Sequence, residues 1–69
     1  MKIKVNGEEK KIEIDQKNAQ LSIALKLMGY KSNTVVVEVN NLIINSRKWE
    51  NVKLKDGDIL EIVSIVGGG

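Results

Sequence analysis

The apolar residues of this chain change period twice, and that constrains the fold more than any other feature. Over residues 1–14 they alternate: Met1, Ile3 and Val5 fall on one face with Lys2 and Lys4 on the other, then Ile12 and Ile14 alternate with Lys11 and Glu13. Period two describes half-buried strands. Leu21, Ala24, Leu25 and Met28 then follow the i, i+3, i+4, i+7 spacing of one buried helical face. Period two returns over residues 34–39, where Val35, Val37 and Val39 share one face and Thr34, Val36 and Glu38 the other. Residues 42–44 make a short fourth strand. Residues 59–66 are the most apolar run, apolar on both faces, which predicts a central strand. The order strand, strand, helix, strand, short strand, strand predicts one helix packed across one mixed sheet of four to five strands, an α+β architecture. The helix is expected to return the chain parallel to an earlier strand. A chain of 69 residues buries only ~60% of its unfolded surface, enough for one thin core and no deep catalytic cleft.

The connections are also marked. Asn6-Gly7 is a hairpin signal. A two-residue loop there sets Lys10 opposite Ile3, whereas a four-residue loop over 6–9 sets Ile12 opposite Ile3 and Ile14 opposite Met1. Cross-strand apolar pairing favours the longer loop. Asn18 is the expected helix N-cap, within two residues, and Gly29 the residue that ends the helix. Ile23 and Leu27 lie on the far side of that helix, either as an exposed pair that meets a partner or, the plainer reading, under a following loop. Asn40-Asn41 predicts a tight turn, because Asn tolerates the left-handed region. Ser46 is the expected cap of a single helical turn carrying Trp49. Lys55-Asp56-Gly57-Asp58 reads as a turn built on a glycine.

Composition then removes whole classes of function. There is no Cys and no His, so the chain has no disulfide, no thiolate nucleophile, no imidazole base and neither of those metal ligands. Eleven basic residues against nine acidic ones give a net charge of +2, mixed along the chain rather than gathered into the basic stripe of a nucleic-acid binder. No apolar run approaches the ~20 residues of a membrane span, and the N-terminus does not read as a signal peptide. A cytoplasmic domain, with no nucleic-acid or membrane partner, is expected.

The tail carries the functional signal. Three glycines, Gly67, Gly68 and Gly69, follow the last strand, where they add nothing to a core. They divide the chain into a single domain over 1–66 and an expected flexible tail over 67–69. A frayed end or leftover linker has this composition too. An end without Cβ atoms, however, threads a narrow channel in extended form and presents a bare carboxylate with an unhindered carbonyl. Activating that carboxylate as an acyl-adenylate needs groups that this chain lacks, so the chain would be the substrate and its partner the catalyst.

The element order is that of the β-grasp, or ubiquitin-like, fold, although ferredoxins, RNA-binding modules and protein-binding modules share it. A closer resemblance runs through almost the whole chain: Val5-Asn6-Gly7-Glu8, Leu25-Lys26-Leu27-Met28-Gly29, Val37-Glu38-Val39-Asn40, Arg47-Lys48-Trp49, Leu54-Lys55-Asp56-Gly57-Asp58 and, above all, Leu60-Glu61-Ile62-Val63-Ser64-Ile65-Val66-Gly67-Gly68-Gly69. With these segments the chain resembles the ThiS-like sulfur carriers of thiamine biosynthesis, in the ThiS/MoaD group of β-grasp proteins. The Arg-x-Trp turn followed by Asp-Gly-Asp resembles the thiamine carriers more than the longer molybdopterin ones. One departure is Asn40-Asn41, where the family commonly has Asn-Gly.

The resemblance implies a mechanism and its partners. The Gly69 carboxylate would be adenylated by an E1-like, ThiF-like adenylyltransferase using ATP and magnesium, with no cofactor bound by the carrier itself. Sulfur from a persulfide donor, such as a cysteine desulfurase supplies, would replace one oxygen to give a thiocarboxylate for a ThiG-like thiazole synthase. Gly67 and Gly68 would thread the partner's channel. By alternation Leu60 and Ile62 face the helix, whereas Glu61, Val63 and Ile65 share the outer face and form the candidate docking surface, unless neighbouring strands shield them. Asp56 and Asp58 are expected to serve the turn rather than a metal or acid–base site, Trp49 to pack on the sheet rather than anchor a partner, and Arg47 either to be solvated or to meet a partner carboxylate. Three other functions stay open at this point: a sulfur carrier for molybdopterin or tRNA thiolation, a ubiquitin-like modifier, and a binding module without terminal chemistry.

Overall fold

The structure is a computed structural model that describes residues 1–65. Its five strands are β1 (Lys2–Val5), β2 (Glu8–Lys11), β3 (Val35–Val39), β4 (Leu42–Ile44) and β5 (Ile59–Ser64), with one helix, α1 (Leu21–Leu27), between β2 and β3. They form a single sheet in the order β2-β1-β5-β3-β4. β1 and β5 pair in parallel, and the remaining neighbours pair antiparallel. β5 is therefore the central strand, as its two apolar faces predict. β3, reached through the helix, runs in the same sense as β2 but is not its neighbour; the hydrogen-bonded parallel pair is β1 with β5. This is the β-grasp topology.

The helix covers one face of the sheet. Ile3, Val5, Val35, Val37, Leu60 and Ile62 point towards it and meet Leu21, Ala24 and Leu25, with Trp49 and Leu54 closing the core's other side. The alternation therefore reads correctly on β1, β3 and β5. Gly29 ends the helix in the left-handed region at φ +89°. Its N–H donates to Lys26 O (3.0 Å) and that of Tyr30 to Leu25 O (2.9 Å), which together satisfy two of the helix's last carbonyls.

One expectation about the chain's first half needs correction. The first hairpin uses the short loop. Val5 is opposite Glu8 and Ile3 opposite Lys10, and Asn6 and Gly7 both have positive φ (52° and 83°). Such a turn matches the right-handed strand twist. Apolar pairing does not set the register, because β2 is an edge strand with all four residues exposed. The core is reached by Ile12, with Ile14 packed against its edge, and Ile12 sits opposite Met1 rather than Ile3: its N–H donates to Met1 O at 2.8 Å, and the N-terminal ammonium donates to Ile12 O at 3.0 Å. The helix N-cap is Gln20, two residues after Asn18 and so at the edge of the expected range, with no capping side-chain bond. Asn18 instead ends a separate 3-10 turn, Gln16–Asn18, which Asp15 caps. A second 3-10 turn, Ser46–Asn51, carries Trp49 as expected, but its cap is Asn45, one residue before Ser46.

Candidate functional site

Val66, Gly67, Gly68 and Gly69 lie outside the described residues, so the site that can be built is the strand that leads to them. β5 is fixed from both sides by asparagines from the two hairpin turns. Asn6 donates from Nδ2 to Ile62 O (3.1 Å) and accepts at Oδ1 from the Ile62 N–H (2.7 Å), while its own N–H donates to Leu60 O (2.9 Å). One side-chain amide thus continues the β1–β5 ladder past the point where β1 has turned away. Asn40 does the same on the β3 side: its N–H donates to Ile59 O (2.7 Å) and its Oδ1 accepts from the Ile59 N–H (3.0 Å). Asn40 and Asn41 sit at φ 51° and 71°, so the second asparagine adopts the backbone that glycine would otherwise supply.

The turn before β5 is organised by its two acids. Asp58 is 6% exposed and accepts from the Lys55 N–H at Oδ2 (2.8 Å) and from Asn40 Nδ2 at Oδ1 (3.1 Å). Asp56 Oδ1 accepts from the Lys2 N–H (2.8 Å). Both carboxylates are occupied with turn and strand-edge bonds, as their Asp-Gly-Asp setting predicts. Among the described residues no group of three or more His, Cys, Asp or Glu is placed to hold a metal. Trp49 is buried in the core and donates from Nε1 to Ile44 O (3.0 Å), so it packs on the sheet as expected. Arg47 is exposed, and its backbone N–H donates to the Asn45 cap.

The outer face of the sheet is open. Val63 is 62% and Ile65 50% exposed, and Glu61 beside them is also exposed; neighbouring strands do not shield them. The patch extends further than β5. Val36 on β3 is directly opposite Val63, and Ile43 on β4 and Glu61 on β5 flank Glu38. Val36 and Ile43 are both exposed. Alternation already puts Val36 and Glu38 on the face opposite the core; what it cannot supply is which strand lies beside which, and hence that these side chains adjoin Glu61 and Val63. Leu27 on the helix is 59% exposed, with no loop over it, whereas Ile23 is 37% exposed and partly covered. They lie on the side of the molecule away from the sheet and are not part of this patch.

Comparison with known proteins agrees with this geometry. The model of the ThiS family matches residues 3–69. The sulfur carrier protein ThiS of Bacillus subtilis is 36% identical over 67 residues, covering 97% of this chain and 98% of that protein. A thiazole synthase of Paramagnetospirillum magneticum is 37% identical over 71 residues, covering all of this chain. The chain spans only 20% of that synthase, and 62% of the length of a Trieres chinensis relative. The crystal structure of the thiamine biosynthesis protein ThiS from Geobacter metallireducens superposes with a TM-score of 0.80 at 26% identity, covering 100% of both chains.

Proposed function

The chain belongs to the ThiS family of sulfur carriers, and from that premise we propose that it carries sulfur as a thiocarboxylate on Gly69 and delivers it for thiazole formation in the cytoplasm. The observation that carries this reading is the family match through residue 69, which includes the glycine end. An E1-like adenylyltransferase would join the Gly69 carboxylate to AMP from ATP, with magnesium, and release pyrophosphate. A free carboxylate is a poor electrophile; the acyl-adenylate accepts a sulfur nucleophile and loses AMP. The terminal sulfur of a persulfide, such as one made by a cysteine desulfurase, attacks the acyl carbon and displaces AMP, which leaves with one carboxylate oxygen; a second thiol then cleaves the resulting acyl disulfide, forming a disulfide with the donor sulfur and freeing the thiocarboxylate. The carrier contributes no acid, base or nucleophile, consistent with its lack of Cys and His. Its contributions are an unhindered end, with Gly67 and Gly68 threading the partner's channel, and a folded address. The similarity to a segment of a protein named thiazole synthase supports a thiazole synthase as the recipient.

The docking surface follows from reach. Four residues beyond Ile65 span at most ~14 Å even when fully extended. A partner that acts on Gly69 therefore has to sit against the end of the sheet, and the outer face with Glu61, Val63 and Ile65 is the apolar surface adjoining it.

The test is the intact mass of the protein purified from its own cells with an unmodified C-terminus. A fraction heavier by one oxygen-to-sulfur exchange at Gly69 supports the carrier function. An unchanged mass after incubation with ATP, a sulfur donor and the adenylating enzyme of the same organism would refute it. Appending one residue after Gly69 is expected to abolish the modification without altering the fold. Rescue of a deletion strain by thiazole or thiamine separates this pathway from molybdopterin or tRNA thiolation.

A further inference from the structure

Glu38 and Glu61 stand directly opposite each other on adjacent antiparallel strands, both on the outer face of the sheet. Directly opposed like charges destabilise a sheet, and here nothing offsets them: among the described residues the ion pair is Lys2 with Glu9, on the far strands of the same face. Lys4, the nearest basic residue by register, is diagonal to Glu61 across β1 and β5 and pairs with neither glutamate. The surroundings are apolar, with Ile43 opposite Glu38 and the Val36–Val63 pair one step along the strands. A local rule broken without a compensating contact points to a functional requirement.

We propose that this pair is the charged centre of the docking surface and that it receives one arginine of the adenylating partner, set among apolar side chains that cover Val36, Ile43 and Val63. This rests on the carrier function proposed above and adds the chemistry by which the partner is chosen. Arginine suits the place better than lysine. Its guanidinium is weakly hydrated, it can lie flat against apolar neighbours, and its fork can donate to two carboxylates at once. The remainder of the face carries the opposite sign. Lys2 and Lys4 on β1, and Lys11 opposite Lys2 on β2, share it with Glu9. The two ends of the face therefore differ in charge, so a complementary partner seats in one orientation, with its reactive centre towards the strand end that leads to Gly69. Charge pairs of this kind set encounter rate and register more than affinity alone.

The test compares the wild-type chain with Glu38→Gln, Glu61→Gln, the double variant and, as a control beside the helix and away from the face, Glu50→Gln. Binding to the purified adenylating enzyme of the same organism is measured by calorimetry at low and high salt, and the melting temperature of each free carrier is measured alongside. Each single variant is expected to bind about tenfold more weakly at low salt, with the difference shrinking at high salt. The double variant should lose little more than the worse single one, because both acids hold one cation. The free variants should melt at the same temperature or higher, since a repulsion has been removed. Binding lost together with melting temperature would overturn the proposal, as would glutamine variants that bind like wild type; in that second case the carrier function stands. A wild-type chain that does not bind the enzyme at all would overturn both.

Discussion

Replacing Asn6 by glycine isolates the strongest local device in the fold. Glycine accepts the positive φ of 52° at that position, so the backbone turn is kept and no steric strain is added. What is lost is the side-chain amide that bridges the N–H and C=O of Ile62 at 2.7 and 3.1 Å. At about 1 kcal/mol net for each bond, these are worth about 2 kcal/mol. The extra freedom of glycine in the unfolded chain adds roughly 0.5–1 kcal/mol. Asn41 is the internal control: it has φ 71°, lies exposed in the equivalent turn and makes no side-chain hydrogen bond among the described residues. Asn41→Gly therefore carries only the entropy cost, less any relief of its left-handed backbone. Urea unfolding of the two variants should differ by about 2 kcal/mol, with equal m-values. For a domain this small, that corresponds to a gap of roughly 8–16 °C in melting temperature. Hydrogen exchange at the Ile62 amide should accelerate in Asn6→Gly and stay unchanged in Asn41→Gly. Two variants of equal stability would refute the clamp: the Asn6 amide would then be exchangeable for water at no cost.

Asp58→Ala should lower stability by about 2–3 kcal/mol, because it strands the Lys55 N–H and the Asn40 side chain beside a buried site; a shifted urea midpoint at constant m-value checks it. Leu27→Gln should change stability by less than ~0.5 kcal/mol, since the side chain is 59% exposed and surface changes are usually small. A larger loss in the same unfolding assay would mean that the helix buries Leu27 against something in solution.

Periodicity reveals what each residue faces but not what lies beside it. The core of this protein is legible for that reason: Ile3, Val5, Val35, Val37, Leu60 and Ile62 alternate towards the helix, and every one is buried. Turn chemistry is equally local, and Gly29, Asn40-Asn41 and Gly57 all adopt the backbone their residue types predict. The first hairpin misleads because cross-strand apolar pairing has no hold on a strand that has no core face of its own. The helix cap falls at Gln20, two residues past Asn18, because a separate 3-10 turn intervenes and the residues between that turn and the helix are tied across the chain: Leu21 N–H donates to Val52 O (2.8 Å) and Leu54 N–H to Ala19 O (2.7 Å). Those bonds fix the start of the helix from more than thirty residues away. The outer face was half legible. Glu61, Val63 and Ile65 follow from alternation, whereas their adjacency to Val36, Glu38 and Ile43 needs the strand order.

Under the carrier function proposed above, the placement of the two asparagine bridges bears on how the chain would present Gly69 to a partner. Both act on β5, one near its start at Ile59 and one past its middle at Ile62, and each comes from the turn of a different hairpin. Side-chain amides here do what a longer β1 and a longer β3 would do, without extending those strands. The result is a strand anchored by main-chain or amide bonds on both edges and by Leu60 and Ile62 on its core face, while its outer face stays free. Because Gly69 is at most ~14 Å from Ile65, any slack in β5 would be passed directly to the end that the proposed chemistry uses, and its alignment in a partner would suffer accordingly. On the proposed function, a rigid strand below a side-chain-free end would reconcile two opposed demands: a fixed surface for a partner to recognise and a slender chain for it to thread. Asn6→Gly should therefore impair adenylation even where the fold survives, whereas Leu27→Gln, on the opposite side of the molecule, should leave it unchanged.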